Sequence, residues 1–193
     1  VFGKDGQLGK AFQELFQKNP IFQSHVIRFV GRSECDLSHA DQITGLLKNF
    51  QPDLIINAAA YTAVDKAETE ANLAFAINAD APELMAKYAV SHGASLLHFS
   101  TDYVFDGVDG PYTEDAPVNP LSVYARHKLE AEQLVLKAVE HALVLRVTNV
   151  YGDEVRGKNF IARIIDQCKN NQKLTLKLPY DQYATPANAW DIA

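Results

Sequence analysis

Cysteine, basic charge and long apolar runs are all scarce in this sequence, and each scarcity excludes something. Two cysteines in 193 residues, Cys35 and Cys168, stand far apart with no Cys-x-x-Cys spacing. That pattern argues against a disulfide framework and a thiolate zinc site, and for a reducing compartment, so no metal is expected and the cytoplasm is the expected location. Lys and Arg number 18 against 24 Asp and Glu, giving a formal net charge of -6. Without a basic block the chain offers no field attractive to a phosphate backbone, and nucleic acid is not an expected partner. No apolar run approaches the roughly 20 residues that span a bilayer, and no charged-then-apolar leader opens the chain, so no membrane partner is expected. The opening "VF" reads as the last two residues of a strand already under way, and "NAWDIA" at the other end as the start of a helix. Both ends are therefore expected to be trimmed.

What is present is a 47% hydrophobic content, enough for a substantial core. Short aliphatic runs at "HVIRFVG" (His25 to Gly31), "DLIINAA" (Asp53 to Ala59), "ASLLHFS" (Ala94 to Ser100) and "ALVLRVT" (Ala142 to Thr148) read as buried strands. Helical stretches near Ala40 to Phe50, Ala71 to His92 and Ser122 to His141 lie between them. Alternation of this kind predicts an α/β fold with a doubly wound, Rossmann-like parallel sheet over residues 1–154. Beyond about Val155 the texture changes, with "FIARIIDQ" helical and "KLTLKL" extended, which predicts the start of a smaller substrate-binding part over 155–193.

Gly3, Gly6 and Gly9 form Gly-x-x-Gly-x-x-Gly after the truncated strand and at the mouth of a helix carrying Leu8, Phe12, Leu15 and Phe16. Backbone amides there, with Gln7 and Leu8 in the turn, can receive a pyrophosphate. An acid at the end of the second strand would grip the ribose of NAD, whereas this chain has Gly31-Arg32-Ser33. Arg32 favours NADPH, with NADH left open. Asp36 and Leu37 follow in a loop suited to adenine, and "NAAAY" closes the third strand with Ala58, Ala59 and Tyr61, small residues letting a ligand approach the backbone. Tight helix-on-sheet packing explains the same alanines equally well.

Tyr124 precedes Lys128 by four residues in "VYARHKLEAE", so phenol and ammonium share one helix face. Leu121, Leu129 and Leu134 are available to the buried side of that helix. Thr101 ends the fourth strand in "STDYVFDG", at the edge where ligands gather in open α/β sheets. An exposed tyrosine beside a solvated lysine, and a threonine tying down its own turn, are the plain alternatives.

With "GKDGQLGKAF", "INAAAYTAVDKAE", "FSTDYVFDG", "NPLSVYARHKLEAE" and "YDQYATPANAWDIA" together, the chain resembles the extended short-chain dehydrogenase/reductase family, and within it the dTDP-4-dehydrorhamnose reductases. The resemblance implies NADPH-dependent reduction of the C4 keto group of a dTDP-4-keto-6-deoxy sugar, with Tyr124 as general acid, Lys128 on the cofactor ribose and Thr101 on the carbonyl oxygen. It assigns Val64, Glu68, Thr101, Asp102, Tyr103 and Asn149 to the nucleotide-sugar side. Dehydratases of the family have an acid where this chain has Tyr103, so elimination is not expected. Asn149 stands where the reductases carry tryptophan, and Ala184 and Ala187 replace a glycine and a threonine of the late motif. A reductase or epimerase of another nucleotide sugar, a non-catalytic NADP-binding regulatory subunit like that of methionine adenosyltransferase, and a homodimer stay open.

Overall fold

The structure, a computed structural model, describes residues 1–152, 160–170 and 180–193. In chain order the elements are α1 (Gln7–Lys18), α2 (Ala40–Phe50), β1 (Leu54–Asn57), α3 (Val64–Ala67), α4 (Ala71–Phe75), α5 (Ala81–His92), β2 (Ser95–Thr101), α6 (Val123–Ala138), β3 (Ala142–Val147), α7 (Phe160–Lys169) and α8 (Ala189–Ile192). They fall into two compact units, Val1–Lys4 with Ile27–Val147, and Asp5–Val26 with Thr148–Ala193.

In the first unit β1, β2 and β3 are parallel and adjacent in that order, with Ile56 opposite Leu97 and Phe99 opposite Leu145. Single parallel bridges join Phe2 to Asn57 on one side and to Val30 on the other. Across the sheet the chain therefore runs Val30, Phe2, β1, β2, β3, and its direction of progress reverses between Phe2 and β1. Open α/β sheets bind ligands at such a switch point, outside the carboxyl ends of the strands. Ile43, Leu47, Ile55, Met85, Leu96 and Val135 make the core between sheet and helices. Each such side chain, fully buried, contributes about 1.5–3 kcal/mol of transfer free energy.

Three expectations need adjustment. The run from His25 to Gly31 makes one bridge, at Val30, whose N–H donates to the carbonyl of Val1 and whose carbonyl accepts from Gly3 and Lys4. The stretch from Ala71 to His92 is not one regular helix: a π-helical segment, Ala76–Asp80, separates α4 from α5. Pro82 has no N–H to give the carbonyl of Asn78, and the wider turn accommodates that loss. On α6 the buried side is not leucine-lined. It carries Tyr124, Ala125, Lys128, Ala131, Glu132 and Val135, whereas Leu121 precedes the helix and is exposed. Buried charge is tolerable there because Arg146 of β3 grips the Glu132 carboxylate with both Nε and a terminal nitrogen, at 2.7–3.1 Å.

In the second unit α1 is followed by a 3-10 turn, Pro20–Phe22, and the rings of Phe12, Phe16 and Phe22 run in sequence, 5.7 and 4.5 Å apart. Tyr151 bridges Asn188, and α8 packs on α1. The helix expected at "FIARIIDQ" is α7. "KLTLKL" and the boundary expected near Val155 lie outside the described residues.

Candidate active site

Three local devices set the start of α6. Ser122 caps it by accepting the Ala125 N–H at 3.1 Å, and Glu68 accepts the N–H of Val123 at 2.8 Å, so two of the donors a helix start leaves unpaired are satisfied. Val123 is packed with Tyr61 and Val64 against Ala67, Ala74 and Tyr124. Tyr124 is thereby held in an apolar cluster, with the Tyr103 ring edge-on to its own at 6.2 Å. Burial pushes its phenol up to about 12, and the hydroxyl of Thr101 acts in the opposite sense.

Lys128, one turn on, is 1% exposed. Burial brings its ammonium down to about 8, against the pull of Glu132. Its Nζ donates to the carbonyl of Phe99 and lies 3.2 Å from Nε2 of His98, whose Nδ1 lies 3.2 Å from Nδ2 of Asn57. Burial, and after it the charge of Lys128, holds the His98 ring well below the usual histidine range.

Thr101 ends β2 and caps the 3-10 turn Asp102–Val104, accepting the Tyr103 N–H at 3.2 Å and donating to Asp102 at 3.2 Å. The alternative in which the hydroxyl ties down its own turn is thus realised, together with its action on Tyr124. Thr101, Asp102, Tyr103, Tyr124, Lys128, Tyr61, Val64 and Glu68 come together around the start of α6 and the end of β2. Glu68, assigned by resemblance to substrate, is here a helix cap.

At the switch point Gly3 has φ +87°, and a Cβ on it would fall 2.7 Å from the carbonyl carbon and oxygen of Ala58. Only glycine lets the first strand turn beside Ala58 and Ala59 in this way. Arg32 is largely exposed, and its Nε donates to Asp36 at 3.0 Å. The other Asp36 oxygen accepts from the N–H and hydroxyl of Ser38, and Leu37 is buried in the main core. The second unit carries Gly6, Gln7, Leu8, Gly9 and Asn149. Gly6 caps α1 with φ -81°, so it needs no glycine-specific backbone, and Gly9 is buried on that helix. Asn149 is exposed and left-handed at φ 41°, a region asparagine tolerates better than most residues.

Among the buried polar side chains that sequence reasoning passed over, Asn78 and His98 stand nearest the site's framework. Asn78, in the π-helical segment, donates to the Tyr61 carbonyl at 3.0 Å and accepts the Tyr61 N–H at 2.9 Å, fixing the segment after β1. His98 is the other. The signal for it was a lone histidine inside the aliphatic run "SLLHFS".

The chain is similar in sequence and fold to several known proteins. A dTDP-4-dehydrorhamnose reductase of Aggregatibacter actinomycetemcomitans is 36% identical over 194 aligned positions, covering 100% of this chain and 64% of the relative. The β subunit of methionine adenosyltransferase 2 from Xenopus laevis is 35% identical, covering 100% of this chain and 59% of its own. The crystal structure of a Bacillus anthracis dTDP-4-dehydrorhamnose reductase in complex with NADP superposes with a TM-score of 0.77 at 34% identity, over 88% of this chain and 59% of that one. The chain thus spans about 64% of the length of the first of these relatives. The profile of the RmlD substrate binding domain matches residues 1–193 without a break, and the chain, with its parallel sheet and its Tyr124 helix, belongs to that family.

Proposed function

We propose that the chain is part of an NADPH-dependent reductase acting on the C4 keto group of a dTDP-4-keto-6-deoxy sugar, a dTDP-4-dehydrorhamnose reductase. Residues 1–154 would bind the cofactor and 155–193 begin the substrate part, in a cytoplasmic protein open to homodimer formation. Among the described residues no helix is long and apolar enough to cross a membrane.

The observation that carries the reading is one buried helix face bearing both Tyr124 and Lys128, with Thr101 beside Tyr124 at the carboxyl end of β2. The residues fit a dinucleotide: the glycine-only turn at Gly3 lies at the switch point, and Arg32 is exposed where a ribose phosphate would need a cation. When bound, NADPH supplies the hydride for the carbonyl carbon. Tyr124 gives its phenolic proton to the carbonyl oxygen, so no free alkoxide accumulates. Thr101 orients and polarises that oxygen. Lys128, as an ammonium, stabilises the tyrosinate left behind. Tyr103 has its ring against Tyr124 and no carboxyl to protonate a leaving hydroxyl, which favours reduction over elimination.

The test is incubation of the full-length protein with NADPH and a dTDP-4-keto-6-deoxy sugar. Oxidation of one NADPH per 4-hydroxy product supports the reading. NADPH binding without turnover would assign the fold to a regulatory subunit, and release of a 4-keto-6-deoxy product from dTDP-glucose would make it a dehydratase.

A further inference from the structure

The buried chain Asn57, His98, Lys128 carries a donor count that constrains its protons. Asn57 Oδ1 accepts the N–H of Ala59 at 3.2 Å, so its amide cannot be turned over without setting two donors face to face. Its Nδ2 therefore points a donor at Nδ1 of His98, at 3.2 Å. On the other side of the ring, Nε2 is 3.2 Å from Nζ of Lys128. A neutral imidazole has one donor and one acceptor. If Lys128 is an ammonium, both neighbours of the ring are donors, and one contact is between two donors. If it is an amine, every contact is satisfied: Asn57 Nδ2–H to Nδ1, His98 Nε2–H to the lone pair of Nζ, and a lysine N–H to the Phe99 carbonyl.

We propose that His98 is a positioning residue for Lys128: by presenting its Nε2–H to the lysine nitrogen, it favours the amine over the ammonium form of Lys128 for as long as Nζ stays against the ring. The proposal rests on the reading that Lys128 serves a reductase, and deepens it. The downward pull of burial on Lys128 is in the same sense. The groups acting on Nζ are His98 and the Phe99 carbonyl from β2, and Glu132 from α6, the last already held by Arg146 of β3. A ligand offering hydroxyl oxygens to Nζ would favour the ammonium. Solvent then supplies the proton to Nζ as it leaves the ring, while His98 keeps its Nε2–H and goes on accepting from Asn57 at Nδ1. A bound ligand would thus favour the cation of Lys128 on the helix face that it shares with Tyr124.

The experiment is nitrogen NMR of the full chain with labelled histidine and lysine, the His98 and Lys128 signals being assigned with His98→Gln and Lys128→Met. At a pH above the Lys128 midpoint, the expected result is an unprotonated Nδ1 and a protonated Nε2 on His98. In His98→Gln, whose amide oxygen can accept from an ammonium, the proton affinity of Lys128 should rise about tenfold or more. A proton on Nδ1 in the parent under those conditions overturns the proposal, as does an unchanged Lys128 midpoint in the variant. The parent measurement decides alone if the variant does not fold. Neither measurement depends on turnover, so a protein without reductase activity can still confirm or refute the role of His98.

Discussion

Glu68 and Val123 are 55 residues apart in sequence, yet the carboxylate of the first accepts the backbone N–H of the second at 2.8 Å. That bond fastens the segment after β1 to the first turn of the helix bearing Tyr124. It also brings negative charge to a helix N-terminus, where the dipole favours it.

Glu68→Ala should therefore lower stability by about 0.5–2 kcal/mol, the usual cost of losing a capping acceptor, while Glu68→Gln keeps an acceptor oxygen and loses less. Denaturant melts of both variants measure this. If Glu68 served substrate alone, alanine would leave the melt unmoved and raise only KM.

Arg32 is tied to Asp36 but lies mostly in solvent, free to meet a second anion. Arg32→Ala should weaken NADPH by roughly tenfold or more, since a charged hydrogen bond is worth about 1.5–3 kcal/mol, and change NADH far less. Titration of the two cofactors is the measurement. Equal losses would remove the ribose-phosphate role and leave Arg32 as a partner of Asp36 only.

Much of this was legible in the sequence because the signals were periodic or local. The four-residue spacing of Tyr124 and Lys128 gives one helix face wherever the helix packs, and the helix from Ala40 to Phe50 ends where the pattern does. The π-helical turn at Ala76–Asp80 was not legible, since a proline at position 82 does not say whether the turn before it ends or widens, and the partner of the Asn78 side chain, Tyr61, lies 17 residues back. The buried side of α6 was misread for a related reason. A leucine count takes apolar residues as the inward ones, whereas here Glu132 and Lys128 turn inward because Arg146 and Phe99, from two different strands, wait there for them. Glu68 as a cap and His98 as a partner of Lys128 are equally long-range. Resemblance supplied the site residues, but not what they touch.

Tyr124→Phe removes the hydroxyl and keeps the ring packed against Tyr103 and the cluster at Ala67 and Ala74. Stability and NADPH affinity should be nearly unchanged, while turnover of the full-length enzyme falls by about 10²- to 10⁴-fold, the range of general acid catalysis. Lys128→Met should lose turnover and cofactor affinity together. Near-parental turnover in Tyr124→Phe would mean that the proton comes from elsewhere.

The last prediction concerns acid. His98 is held well below its ordinary value by burial, so as pH falls below about 6.5 the unfolded chain takes up a proton that the folded ring refuses. More protons on the unfolded side means that stability rises with pH in this window and drops as pH is lowered. The limiting slope is about 1.4 kcal/mol per pH unit for one proton. Three carboxylates, Glu34, Asp36 and Asp106, are brought down to about 2 by their hydrogen bonds and act at lower pH. His127 does act in the window, also lowered chiefly by burial, so the comparison must be with His98→Gln, which retains His127. Denaturant midpoints measured from pH 7 to pH 5 should fall more steeply for the parent than for the variant. Parallel curves would show that the folded ring accepts the proton, and an imidazolium 3.2 Å from Nζ of Lys128 would then have to be built into the site.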